Sequence, residues 1–244
     1  MANFKEYPIS YSFAGDSSYL ASSASKIIEV IDGANSIRVN NFKELKDALN
    51  KIKSLDPNSL SSNKYYIILN GGNYIATETL YLDNFTDKIL TIAGYNQIIK
   101  GNNSFSFINI AKDNNLILKN IKLNNFNTAL FNNGNLTVKS CDISNNTGFE
   151  GSAIFNNIHS NLEVYNSKFT DNTGNLGACI YASEYVNSYI FNSTFNKNVA
   201  SGDAGAIYND NNSNLTVINC ILSNNYARSN GGAIYNKHNL VSKN

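Results

Sequence analysis

Apolar and polar residues alternate along most of this chain, and the alternation recurs in phase. Runs such as Asn135-Leu136-Thr137-Val138-Lys139 have the two-residue period of a strand rather than the 3.6-residue period of a helix. Three of these short apolar segments, separated by Asn, Gly and Ser, form a unit that returns every 26 or 27 residues. One register is Ile154, Ile180, Ile207 and Ile234, each preceded by a small residue and followed by an aromatic one (Phe155, Tyr181, Tyr208, Tyr235). A second is Ile143, Phe169, Phe195 and Leu222, followed three residues on by Asn146, Asn172, Asn198 and Asn225. A third runs Leu136, Leu162, Tyr189 and Leu215. Strict phase at one period lets like residues lie on like residues. It therefore predicts a chain winding as a parallel coil, each turn about 4.8 Å above the last. Ile154, Ile180, Ile207 and Ile234 are then an internal ladder. Asn146, Asn172, Asn198 and Asn225 form a column at a turn, where amides of successive coils bond one another. Gly151, Gly177, Gly205 and Gly231-Gly232 mark a tight corner.

The motifs Phe169-Thr170-Asp171-Asn172 and Phe195-Asn196-Lys197-Asn198, with Gly205-Ala206-Ile207 and Gly231-Gly232-Ala233-Ile234 following, carry a family resemblance. They resemble the Phe-x-x-Asn and Gly-Gly-Ala-Ile repeats of chlamydial polymorphic outer membrane proteins. The same repeats occur in Asn-rich adhesin-like surface proteins of methanogenic archaea. The resemblance covers residues 120–239 and implies an all-β fold: a single-stranded right-handed parallel β-helix, pectin-lyase-like, displayed on a cell surface. The first copy, Ala129-Leu130-Phe131-Asn132, lacks the preceding Gly and stands closer to the next.

Before the coils, residues 42–53 read as an amphipathic helix. Phe42, Leu45, Ala48, Leu49 and Ile52 share a face, Asn41 and Glu44 have capping-box spacing, and Pro57 closes the segment. Such a helix is placed to cover the open edge of the first coil; packing on a separate small domain is the alternative. The expected organisation is a polar segment with a capping helix over 1–59 and the β-helix over 60–244. Tyr65–Tyr74 opens the coil, and Lys88–Gly94, Phe107–Ala111 and Leu116–Leu123 follow as strands.

Composition narrows function. Net charge is +1 with 15% charged residues, which leaves no basic stripe for nucleic acid. Asn makes up roughly a fifth of the chain, far above ordinary usage. Cys141, Cys179 and Cys220 read as buried thiols rather than metal ligands, Cys179 standing in for the small residue of the Ile unit. No cofactor is expected. Met1–Pro8 has no uninterrupted apolar stretch of the kind that opens a secretion signal, and no later run is long enough to span a membrane. A surface location then implies either that the chain is part of a larger surface protein or that its start lies upstream. Seven Asn-x-Ser/Thr sequons, at Asn84, Asn102, Asn135, Asn145, Asn192, Asn211 and Asn214, matter only on secretion.

Polysaccharide lyases and hydrolases share the expected fold, so catalysis has to be weighed. The candidate acids are Asp142, Asp171, Asp203 and Asp210; Asp142 and Asp171 share no register, though adjacent coils could bring them near each other, and the Asp-Asp pair and the Asn-Thr-Asp and Gly-His-Gly motifs of polygalacturonases are missing. Arg38 and Arg228 lie far apart, and His159 and His238 sit in Asn/Ser-rich turns. The expectation is a non-enzymatic adhesin-like surface module that attaches to glycans or proteins, with no catalytic or metal residues. The alternatives are a polysaccharide-active enzyme and a structural spacer. The aromatic column at Phe155, Tyr181, Tyr208 and Tyr235 stabilises coils by stacking whether or not it binds anything.

Overall fold

A computed structural model describes residues 5–13, 22–30, 35–55 and 63–243, with side chains for the last two ranges. Pro57 and the expected start of the coil at residue 60 lie outside the described residues. Contacts divide the chain into two units, residues 1–36 and 37–244. In the first, Lys5–Phe13 and Ser22–Val30 pair antiparallel from Lys5↔Val30 to Phe13↔Ser22.

The second unit is a parallel β-solenoid with one short helix near its N-terminal end. Each full coil contributes a strand to each of three faces. The first face is the series 115–119, 135–139, 161–165, 187–191, 214–218 and 239–243. The second is 121–124, 142–144, 168–170, 194–196 and 221–223. The third is a seven-stranded parallel sheet ending in 130–132, 154–156, 180–182, 207–209 and 234–236. A short three-stranded ribbon, 173–174, 199–200 and 226–227, runs beside them.

The corners explain the composition. The bend between the first two faces is made at Asn120, Ser140, Asn166, Asn192 and Asn219, all with φ between 47° and 53°. The next corner uses Asn103, Asn125, Asn145, Asp171, Lys197 and Asn224, again at positive φ. Asn tolerates this left-handed backbone better than most residues with a side chain, so a coil that must turn at fixed points accumulates Asn there. A further corner carries Gly151, Gly177 and Gly231 at φ +54°, +53° and +65°. Its fourth member is Ala204 at φ +61°, not the Gly205 expected from sequence. Gly205 occupies the adjoining position, where an added Cβ would lie 2.1 Å from the Gly232 carbonyl oxygen.

Inside, like residues stack. Ile154 pairs with Ile180, Ile180 with Ile207 and Ile207 with Ile234, extended upward by Leu130. Phe169 stacks on Phe195 at 4.7 Å between centroids. The third expected register needs one correction. Leu162 pairs with Ser188, and Ser188 with Leu215, while Tyr189 pairs with Glu163 and Thr216. Ile190 points into the core, and the two-residue period then sends residue 188 inward and Tyr189 outward.

The helix, Phe42–Lys53, lays Phe42, Leu45, Ala48, Leu49 and Ile52 into the same apolar cluster as Tyr65, Ile67 and Leu90. Its N-terminus is capped by Asn41, whose Oδ1 accepts from the Glu44 N–H at 2.9 Å. Its C-terminus is held from the coil. The buried Lys88 ammonium donates to the carbonyl oxygens of Ile52, Lys53 and Leu55 at 3.1, 3.3 and 2.7 Å. The last carbonyls of a helix have no partner within it, and a cation there also meets the favourable end of its dipole.

Candidate functional site

Four ladders of side-chain amides run along the solenoid. The innermost contains the column read from sequence. Asn146, Asn172 and Asn198 are fully buried, and Asn225 is half-buried. Asn146 Nδ2 donates to Asn172 Oδ1 at 3.0 Å, Asn172 Nδ2 to Asn198 Oδ1 at 3.1 Å, and Asn198 Nδ2 to Asn225 Oδ1 at 2.9 Å. Each Oδ1 also accepts a backbone N–H from the coil before, from Phe126 down to Asn198. The free amide hydrogens reach the carbonyls of Ile143, Phe169 and Phe195. These amides complete the backbone pairing at a corner where the sheets stop. A second inward column joins Asn132 to Asn156 and Asn209 to Asn236 at the end of the third-face strands.

Two further ladders face solvent, and neither was singled out from the sequence. The longer joins Asn115, Asn135, Asn161, Asn187, Asn214 and Asn239, each donating to the one before over 2.8–3.5 Å. The shorter joins Asn157 to Asn133 and Asn133 to Asn109. The signal for the first was present as the residue opening every strand of the first face. In so Asn-rich a chain, that column does not stand out from chance.

The longer surface ladder forms one wall of a shallow open groove of about 490 Å³ across the first face. Thr137, Glu163, Tyr189 and Thr216 line it together with Asn135, Asn161, Asn187 and Asn214. Asn135 and Asn161 also border a neighbouring depression with Asp113, Asn157 and His159. The groove therefore presents amides and hydroxyls at strand spacing with little charge, and Tyr165 and Tyr189 lie tilted at 5.8 Å beside it.

The aromatic column stands on the outer side of the third face. Phe131, Phe155, Tyr181, Tyr208 and Tyr235 stack with centroids 4.7–5.4 Å apart. Tyr181 and Tyr208 are buried against Ala204 and Leu176, so this column is largely covered. At its edge Asp210 accepts from the Tyr181 hydroxyl at 3.1 Å and from Lys237 at 3.1 Å. Lys237 also lies 5.1 Å over the Tyr208 ring. Burial pushes Asp210 up, but the bonds from the Asn211 N–H, Lys237 and Tyr181 outweigh it and hold its carboxyl below the usual range. Burial, then the charge of Asp210, raises Glu150 and Tyr181. Sequence spacing gave no hint of Glu150 here, because it comes from a loop two coils away from Asp210.

The other acids weighed from sequence are not gathered with this group. Asp142 is on the second face between Lys122 and Lys168, Asp171 sits at an exposed corner, and Asp203 accepts from Asn230. His159 is exposed and stacks on Tyr185 at 5.2 Å; His238 is exposed, as are Arg38 and Arg228. Cys141, Cys179 and Cys220 are free and buried. Burial raises all three thiols, Cys141 to about 11. No helix among the described residues is long and apolar enough to cross a membrane.

These features define a class: a parallel β-solenoid whose corners are closed by asparagine columns. Two segments, residues 192–210 and 219–237, match the model of the Chlamydia polymorphic membrane protein repeat. The chain thus carries repeats of this type, arranged in a β-solenoid. Each matched segment begins at a positive-φ Asn corner and runs past the third-face strand, so each contains one Asn of both inward columns: Asn198 and Asn209, then Asn225 and Asn236. No curated protein and no solved structure matches the chain.

Proposed function

We propose that this chain is a non-enzymatic, adhesin-like module of a larger cell-surface protein, and that it attaches to glycans or to proteins through the groove on its first face. The carrying observation is the solvent-facing ladder from Asn115 to Asn239 with Thr137, Tyr189 and Thr216 beside it. It repeats one neutral donor and acceptor set on every coil. Amides offer two donors and an acceptor each, and Tyr adds an apolar face with a polar tip. Many weak, equivalent contacts along an extended face suit a polymer or a flat partner surface, as solenoids commonly use them. The repeat type supports the surface location, since the matched family is named for membrane proteins. A pectin-lyase-like ancestry fits the same coil, with the chemistry of those enzymes set aside.

The second reading, polysaccharide cleavage, draws on Glu150 and Asp210, whose environments push their carboxyls in opposite directions. Against it, Asp210 is already engaged by Tyr181, Lys237 and Asn211, an arrangement that fastens one coil to the next. The test combines glycan and cell-binding arrays with incubation on pectin, polygalacturonate and other polysaccharides, calcium present. The expected result is weak attachment that strengthens when copies are linked and falls at least tenfold in Tyr189→Ala with Thr216→Ala. Turnover that vanishes in Glu150→Gln or Asp210→Asn would replace the binding reading with the enzyme.

A further inference from the structure

One inward column breaks its own rule. Pairing places Asn132, Asn156, Ala182, Asn209 and Asn236 in register on successive coils. Above the break, Asn132 Nδ2 donates to Asn156 Oδ1. Below it, Asn209 Nδ2 donates to Asn236 Oδ1 at 2.8 Å and to the Ser213 carbonyl at 3.0 Å. Both links run in one direction: the nitrogen of the earlier coil's amide meets the oxygen of the later one's. Ala182 can neither accept nor donate. The two amide atoms that would have met an asparagine there are the two left unpartnered in this column, Asn156 Nδ2 and Asn209 Oδ1. Both residues, and Ala182 itself, are 0% exposed. Neither amide gains by turning over, because the other atom of each is already bonded within the column.

We infer that the place beside Ala182 is a buried hydration site, where water takes the position of the missing carboxamide and joins the two halves of the column. The chemistry selects the ligand. It must be small, must accept from Asn156 Nδ2, and must donate to Asn209 Oδ1. An anion would face the Asn209 oxygen and a cation the Asn156 N–H. Water has both faces, and a pair of waters spans the gap, since Asn156 and Asn209 lie two strand spacings, about 9.6 Å, apart. Buried waters are typically found bridging polar groups that otherwise lack a partner. The same coil also carries Ser188 where its neighbours carry Leu, so it has the smaller inward residue on both sides of the corner 183–186.

The decisive observation is a high-resolution crystal structure of the unmodified chain, read together with water–protein NOEs to the Asn156 side-chain amide. Two ordered waters, one within hydrogen-bond reach of Asn156 Nδ2 and the other of Asn209 Oδ1, with matching NOEs, are the expected result. No density beside Ala182, or either amide re-paired to protein atoms, overturns the inference. Two variants provide an independent check. Ala182→Asn supplies the amide covalently and should remove the water signal while raising the unfolding midpoint by about 2–4 °C. Ala182→Val fills the space without polarity and should lower the midpoint. Equal loss in both variants, with the water signal unchanged, also counts against the site.

Discussion

Replacing Asn198 by Leu tests whether the buried amide column holds the coils together. Asn198 takes part in four bonds through its side chain. Its Oδ1 accepts from the Asn172 N–H at 3.0 Å and Nδ2 at 3.1 Å, and its Nδ2 donates to Asn225 Oδ1 at 2.9 Å and the Phe169 carbonyl at 3.1 Å. Leucine removes all four. Asn172 Nδ2 keeps the Ile143 carbonyl, and Asn225 Oδ1 keeps the Asn198 N–H. The Asn172 N–H keeps nothing, at a residue that is 0% exposed. Leaving one buried donor unpaired costs about 1–3 kcal/mol, and the other lost bonds add about 0.5–1.5 kcal/mol each. Burying the Leu side chain returns about 1.5–3 kcal/mol, less where its branch does not fit a flat amide slot. The net expectation is a loss of about 2–4 kcal/mol in urea unfolding, with the slope unchanged. Hydrogen exchange at the Asn172 amide should accelerate beyond what this global loss accounts for. The matched control is Asn187→Ala on the exposed ladder, expected within about 0.5 kcal/mol. If the two substitutions cost the same, the reasoning fails, because burial of the column would then contribute nothing.

Three further outcomes are expected. Gly177→Ala should destabilise by at least about 2 kcal/mol, since the position has φ +53° and an added Cβ would stand 2.2 Å from the Ile180 carbonyl oxygen; thermal unfolding measures it. Lys88→Met should cost about 1–3 kcal/mol and speed exchange of the amides in the Phe42–Lys53 helix, whose terminal carbonyls Lys88 holds; unchanged helix exchange would show that the helix is held by its apolar face alone. Cys141, raised by burial from 9.0 to about 11, ionises later folded than unfolded, so its contribution is complete below pH 9 and is lost as pH rises toward 11. Unfolding free energy measured across that window should fall by up to about 2–3 kcal/mol, and less steeply in Cys141→Ala.

The coil was legible because phase is a long-range signal carried by residues that cannot be exchanged freely. An Ile that must stack on an Ile, or an Asn that must cap the coil below, repeats at the coil length whatever lies between. The groove was not legible, because its asparagines are one column among several in a chain where turns demand Asn for backbone reasons. Tyr189 misled for a different cause. Its spacing from Leu162 and Leu215 put it in the Leu register, yet Ile190 beside it already fixed which residues face inward, leaving the small Ser188 in the Leu ladder. Ala204 shows the same limit at a corner, since a residue at positive φ need not be Gly when its neighbours hold it. Lys88 and Glu150 had no local signature at all. Both matter through partners brought to them by the winding.

The amide columns also run in opposite senses. Between the asparagines inside, the amide hydrogen passes to the coil that follows, from Asn146 to Asn225 and from Asn209 to Asn236. On the surface, every Asn gives to the coil that precedes, from Asn239 back to Asn115 and from Asn157 back to Asn109. A row of like-oriented amides is a one-way street, each bond polarising the next. With traffic running both ways, the Asn-to-Asn bonds of the inner and outer rows point in opposite senses along the axis. Each inner column still has a head and a tail. Lengthening such a rod therefore works only head to tail, so the order of its coils is written in the direction of its hydrogen bonds.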